Sequence, residues 1–375
     1  MRTKLQALPY VALLLPFDFV VALALLAAEM VAFLRPSPAA ARLPSPSGRG
    51  RPEGPGEGLR KATILIVNWD GKHLLEECLP AVLEALRSDA RNHEVLVVDN
   101  GSTDGSVEFI RSRFPEVRVL ALDRNYGFTG GNNRGVQESP TEIVVFLNND
   151  MIVDHGFLKP LLEGFSDSSV FAVTSQIFFF DKTRKREETG KTRALFDRGF
   201  FYFWHDEIQP YEESLGAVPV IWAGGGSCAF DRRRYLEIGG LDPLYHPFYV
   251  EDTDLSYQAW KRGWKCVLAP ASRVVHKHRG TSRPKFGNRF VDNTIRKNQY
   301  LFVWKNVTDF SMILQHLINL PRIHGRAMLY GEPAFEFQAF FRALRQLPEA
   351  LRKRLSNLSH YVISDAEVLA RSQKP

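Results

Sequence analysis

From Ala62 onward the 375-residue chain alternates short, largely apolar runs with stretches of helical periodicity, and this alternation sharply restricts the possible folds. The runs are Ala62–Val67, Glu94–Val98, Val117–Leu120 and Ile143–Leu147; three are rich in Val and Ile. Strands of that composition are buried on both faces, as in a parallel sheet. His73–Arg87, Ser106–Phe114 and Thr129–Ser139 read as the intervening helices. Such alternation implies right-handed crossovers, so an α/β fold with a doubly wound, mostly parallel sheet is expected. Ligands of open α/β sheets bind beyond the carboxyl ends of the strands. Further on, residues 176–222 read as an aromatic, charged insertion or hairpin region, Asp254–Arg262 as a helix, and 266–275 as containing a short strand that leads to His276.

The residues at the strand ends are turn formers, carboxylates and glycines. The first run ends in Val67-Asn68-Trp69-Asp70-Gly71 and the second in Val98-Asp99-Asn100-Gly101-Ser102-Thr103-Asp104. Turn and cap roles suit these residue types. Asp99, directly after a buried strand, points into the crevice, where it can accept a hydrogen bond from a pyrimidine N–H or a ribose hydroxyl. The loop Asn125–Asn133 contains Gly127, Gly130 and Gly131, which permit close backbone approach; it is not GxGxxG, so a dinucleotide site loses support. Asn148-Asn149-Asp150 ends the fourth run and reads either as a turn or as a site for Mg²⁺ or Mn²⁺, which take oxygen ligands. Gly224-Gly225-Gly226 could cover a ligand or close a tight turn. Glu251-Asp252 is the candidate catalytic pair: a carboxylate beside an acceptor hydroxyl can take its proton, whereas Asp254 is expected to cap the helix that follows. His276 is either structural or an additional cation ligand.

In their order these motifs closely resemble glycosyltransferase family 2, over roughly residues 62–310. The resemblance implies a GT-A nucleotide-diphospho-sugar transferase fold and single-displacement, inverting transfer. It makes Asp252, paired with Glu251, the general base, and puts Asp150, Asn148 and His276 at the metal. The expected substrate-binding residues are Asn68, Asp70, Asp99, Asn100, Ser102, Asp104, Asn125, Gly127, Asn132, Gly225 and Gly226. Asn148 stands where the family's DxD motif has its first Asp. No QxxRW run follows Asp252 and no cluster of C-terminal spans appears, which argues against a processive synthase. The likeness is strongest to the rhamnosyltransferase-type branch, which implies dTDP-rhamnose as donor, with UDP-hexoses as the alternative, and a glycan or lipid-linked acceptor in cell-surface polysaccharide synthesis. Trp222, Tyr245, Phe248 and Tyr249 could offer an apolar surface to a 6-deoxy methyl group, or belong to the core. A sugar nucleotidyltransferase would carry a basic glycine-rich loop where Asn68-Trp69-Asp70-Gly71 stands. A non-catalytic nucleotide-sugar binding module would tolerate loss of the carboxylates that are present.

Four regions are expected: a membrane anchor over 1–34, a Pro/Gly-rich linker over 35–61, the catalytic domain over 62–308 and an amphipathic helical extension over 309–375, clearest at Met312–Leu320 and Phe335–Leu347. The apolar stretch Pro9–Leu34 is 26 residues long, enough for a single-pass transmembrane helix. Asp18 and Glu29 interrupt it on one helical face, consistent with a partner helix or with a helix lying at the interface; a signal peptide is the rival reading. Lys and Arg are in excess after the stretch, which predicts a cytoplasmic catalytic domain on the cell membrane. The net charge of +6 comes with no basic stripe or nucleic-acid module, so an anionic substrate or membrane surface is the expected partner rather than nucleic acid. Cys78, Cys228 and Cys266 are odd in number and lack a CxxC pair, which argues against a disulfide scaffold or zinc site and suits a reducing compartment.

Overall fold

The computed structural model describes residues 4–34, 60–87, 89, 91–181, 188–277 and 282–374. Most of the expected linker therefore lies outside the described residues, as do residues 278–281 within the His276–Ser282 stretch. The strands are β1 (Ala62–Asn68), β2 (Glu94–Asp99), β3 (Arg118–Ala121), β4 (Ile143–Leu147), β5 (Met151–Val153), β6 (Val170–Phe179), β7 (Thr192–Asp197), β8 (Phe200–His205), β9 (Val218–Pro219), β10 (Ser227–Asp231) and β11 (Lys265–His276). The helices are α1 (Lys4–Leu34), α2 (Lys72–Arg87), α3 (Ser106–Arg113), α4 (Gly127–Glu138), α5 (Leu158–Glu163), α6 (Arg232–Ile238), α7 (Glu251–Lys261), α8 (Ser282–Phe286), α9 (Asn288–Asn306), α10 (Phe310–Tyr330), α11 (Pro333–Leu344), α12 (Leu347–Asn357) and α13 (Asp365–Ser372).

The main sheet runs β3-β2-β1-β4-β10-β6-β11-β5, with β9 added beside β11. The first four strands are parallel, as are β6 and β11. β10 runs antiparallel to both its neighbours, so the sheet as a whole is mixed. Alternation along β1 fills both faces: Ala62, Ile64 and Ile66 pack with Leu75, Leu79 and Val82 of α2, and Leu65 packs with Val136 of α4. β7 and β8 form a separate hairpin within the region read as an insertion or hairpin. β11 is twelve residues long rather than a short strand, because nine of them pair with β6 on the two sides of an irregularity between Ala269 and Arg273. The three cysteines are free and buried.

Three pairings gather the site at one edge of this sheet. Asn68 lies opposite Asp99, Ser227 opposite Leu147, and His276 opposite Met151.

The C-terminal helices share the core of the sheet: Leu320, Phe340 and Val368 belong to the same cluster as Phe146 and Tyr257. α1 belongs to it as well. Its buried positions Leu14, Asp18, Val21, Leu25 and Ala28 repeat every three or four residues and face α10 and α12. Both carboxylates point the same way. Asp18 lies 3.3 Å from His324, and Glu29 pairs with Arg354, which is fully buried.

Candidate active site

β1 and β2 end together, and Asn68 ties their tips into one network. Its amide donates to Asp99, Ser102 and Ser106 at 3.0–3.3 Å and accepts from Asn149 at 2.8 Å. Asp99 also accepts from the Ser102 backbone at 2.9 Å. The turn between them needs Gly101 at φ 75°, since a Cβ there would come within 2.6 Å of the Arg124 backbone. Asn100 continues the network into the next loop, donating to Asn125 and to the Gly127 carbonyl at 3.0 Å each. Asp70 accepts from the Thr103 backbone at 2.7 Å, and Asp104 accepts from Lys72 N at 2.8 Å. Asn132 is buried and bonds the Phe128 carbonyl at 2.9 Å.

The second half of the site forms around the glycine turn. Gly225 N donates to Asp252 Oδ2 at 3.0 Å, and Thr253 N donates to Asp252 Oδ1 at 2.7 Å. A Cβ on Gly225 would sit 2.8 Å from Phe128, so glycine is what allows Asp252 and the α4 loop to close on one another. On the next residue a Cβ would meet Asn148 at 3.2 Å. The turn thus touches the β4 tip on one side and Asp252 on the other. Asp252 is half-buried, and burial pushes its carboxyl above the ordinary range against the pull of the Gly225 and Thr253 bonds. Glu251 behind it is buried, with Oε2 lacking a hydrogen-bond partner among the described residues. Burial, reinforced by the Asp252 charge, raises it to about 8. Burial thus holds both carboxyls of the pair toward their neutral forms.

Asp254 does not cap α7. The helix begins at Glu251, behind Val250 in the left-handed region at φ 79°. Asp254 is instead fully buried, paired with Lys305 at 2.7 Å and bonded by Tyr245 and Asn306 at 2.7 Å each.

Asp150 and His276 meet at 3.1 Å through Oδ2 and Nε2, and His276 Nδ1 lies 3.0 Å from Glu188. Burial alone would lower the His276 imidazole; the bonds to Asp150 and Glu188 outweigh it and raise the ring to about 9. Asp150 Oδ1 is buried without a hydrogen-bond partner among the described residues. An unsatisfied carboxylate oxygen beside an imidazole fits a hard divalent cation whose other ligands are phosphate oxygens and water. No group of three or more His, Cys, Asp or Glu among the described residues is arranged to hold a metal by itself.

Residues 63–236 match the model of glycosyl transferase family 2. The chain carries a glycosyltransferase family 2 domain. Curated relatives of this domain include N-acetylgalactosaminyltransferase 6 of Drosophila melanogaster, 30% identical over 50% of the chain and 29% of the relative. Another is N-acetylglucosaminyl-diphospho-decaprenol L-rhamnosyltransferase of Mycobacterium tuberculosis, 26% identical over 56% of the chain and 74% of the relative. The chain thus spans less than a third of the first relative's length. The crystal structure of GalNAc-T7 with UDP, GalNAc and Mn²⁺ superposes with a TM-score of 0.57 at 20% identity, covering 82% of this chain and 59% of that one. That likeness is one of fold, and the fold is GT-A.

Within the glycosyltransferase domain, Trp222 and Tyr245 prove to be core residues, and Tyr245 is tied to Asp254; only Phe248 and Tyr249 of the four aromatics reach the surface. Several residues that shape the site had no sequence signal. Glu188 sits in the aromatic, charged region that reads only as an insertion or hairpin. Asn298 of α9 donates to the carbonyls of Tyr245, Phe248 and Tyr249 at 2.8–3.0 Å, and Lys297 bonds the His246 carbonyl at 3.1 Å. Polar residues on a helix ordinarily read as a wet face; here they clamp the loop that delivers Asp252.

Proposed function

We propose that the protein moves a sugar from a nucleotide-diphospho-sugar to an acceptor hydroxyl with inversion. The observation that carries this reading is the glycine turn shared by Asp252 and Asn148, which brings a half-buried base into the same crevice as the strand-tip carboxylates. Asp252 takes the acceptor proton, and its raised affinity for protons strengthens it as a base. The acceptor oxygen forms its bond to the anomeric carbon from the face opposite the diphosphate, whose bond to that carbon breaks. Glu251, held toward its neutral form behind Asp252, leaves Asp252 as the proton acceptor of the pair. Asp99 holds the nucleoside, steadied by Asn68 and Ser102. Asn100, Asn125, Gly127 and Asn132 shape the loop over the donor, Gly225 and Gly226 admit it, and Asp70 and Asp104 set the turns around it. Asp150, His276 and Asn148 would hold Mg²⁺ or Mn²⁺, which when bound neutralises charge on the leaving diphosphate.

The donor is proposed to be dTDP-rhamnose and the acceptor a glycan or lipid-linked glycan, a reading supported by the mycobacterial relative named as a rhamnosyltransferase acting on a diphospho-decaprenol. Phe248 and Tyr249 remain to face the 6-deoxy methyl group. Competition among dTDP-rhamnose, UDP-glucose and UDP-galactose tests the donor in the same assay that tests the base. Asp252→Asn should lower turnover by roughly 10²-fold or more with donor binding retained, and EDTA should abolish transfer. Full turnover in that variant would remove Asp252 from the base role.

α1 contains one stretch long and apolar enough to cross a membrane, Leu14–Val31. We propose that it attaches the enzyme to the cell membrane with the catalytic domain, residues 62–308, on the cytoplasmic side. Docking of Asp18 and Glu29 on α10 and α12 supports a helix held against the enzyme with its outer face in lipid, rather than a free stalk. A reporter fused after Pro375 should be active only if it reads the cytoplasmic side; activity of a reporter that works outside the cytoplasm would reverse the orientation.

A further inference from the structure

α10 carries Phe310, Leu314, Ile318, Arg322 and Arg326 at intervals of four, so they form one ridge along the helix. The ridge changes character part-way. Phe310, Leu314 and Ile318 are large apolar residues left 60%, 43% and 50% exposed. Arg322 and Arg326 line a cavity of about 690 Å³ between α10, α9 and the β7–β8 hairpin. Arg198 at the hairpin turn, Tyr202 on β8 and Arg296 on α9 contribute to its walls, so four guanidinium groups face the space and no carboxylate lines it.

Two of these cations are already engaged. Arg296 pairs with Glu336 at 2.9 Å and lies 4.3 Å from the Phe200 ring, and Arg198 has Asp197 at 3.5 Å. Arg322 and Arg326 have no carboxylate partner among the described residues; Arg322 meets only the Asn319 amide, at 3.5 Å. Uncompensated guanidinium groups around one cavity suit an anion, and phosphate oxygens match their forked donors.

The surroundings favour a lipid as the source of that anion. The hairpin exposes Leu195, Tyr202 and Trp204. Tyr and Trp are enriched where a membrane meets water. α1, packed along α10, turns Phe19, Leu23 and Met30 outward. An apolar ridge that runs into a basic cavity has the polarity of an amphiphile with an anionic head.

We propose that this cavity binds the phosphate headgroup of an anionic membrane phospholipid, whose acyl chains lie along Phe310, Leu314 and Ile318. The site is separate from the transfer chemistry, and its failure would leave the transferase reading untouched.

The full-length protein in detergent, titrated with short-chain phosphatidylglycerol, phosphatidylcholine and inorganic phosphate, tests the proposal. Phosphatidylglycerol should bind at least about tenfold more tightly than phosphatidylcholine, and inorganic phosphate at the same concentrations should not displace it. The double variant Arg322→Gln/Arg326→Gln should remove that preference. Both residues are exposed, so its thermal unfolding midpoint should match the wild type. Arg198→Gln, on a different element, should weaken the preference in the same direction. Equal binding of the two lipids, or an unchanged preference in the double variant, would overturn the proposal. Displacement by inorganic phosphate would make it a soluble-anion site and overturn the lipid assignment.

Discussion

Glu251 is a carboxylic acid stored under the base. Its folded-state value, about 8, lies above the 4.5 of a free glutamate. The contribution of this group to stability is therefore fully present below about 4.5 and is lost as pH rises through about 8, because the unfolded chain releases the proton more readily. Glu251→Gln keeps the shape and removes the titration. The variant should lose less stability than wild type between pH 5 and pH 8, a difference on the order of a few kcal/mol, read from thermal unfolding across that range. Parallel pH profiles for the two proteins would show that Glu251 is ionised in the fold. Asp252 and Asp150 were legible because each directly follows a recognisable motif. The protonation of Glu251 was not, since it depends on burial supplied by residues distant in the chain.

The segment that delivers Asp252 has an unusual backbone. Tyr249 and Val250 both have positive φ, at 70° and 79°, and a β-branched residue there is strained by roughly 1–3 kcal/mol. Asn298 on α9 offsets that strain by holding three carbonyls of the segment. Asn298→Ala should cost about 1–3 kcal/mol of stability and lower kcat roughly tenfold, with the donor KM little changed. Lost stability with unchanged kcat would make the clamp purely structural. β1, β2 and β4 were readable within a residue or two because apolar runs declare buried strands. α9 was not, because its buried Lys297, Asn298 and Lys305 look like a solvated face until their partners on the 242–254 segment are known. The Phe335–Leu347 pattern likewise covers α11 and the start of α12, where Pro348 opens a new helix.

Across the whole molecule, α1, expected as a membrane anchor whose carboxylates could meet a partner helix, packs into the core itself. A chain beginning after residue 34 would leave the buried Arg354 without its carboxylate and open the seam occupied by Val21 and Leu25. Stripping a partner from a buried ion pair costs about 3–5 kcal/mol. The truncated protein should therefore unfold at a lower temperature than the full chain in the same detergent. An unchanged midpoint would mean that α1 is a detachable anchor. The length of the apolar segment was legible, but its docking partners were not, because no local pattern links Glu29 to Arg354.

Those two residues are 325 positions apart, and the distance sets an order of events during synthesis. At about 5–20 residues per second, α1 leaves the ribosome on the order of tens of seconds before the helix that neutralises Glu29 exists. Throughout that interval Asp18 and Glu29 lack their final partners, and the apolar residues that α10 and α12 will cover are open along with those that stay exposed. On the proposed membrane attachment, targeting would begin early, and the last helices would complete the enzyme only after α1 had reached the bilayer.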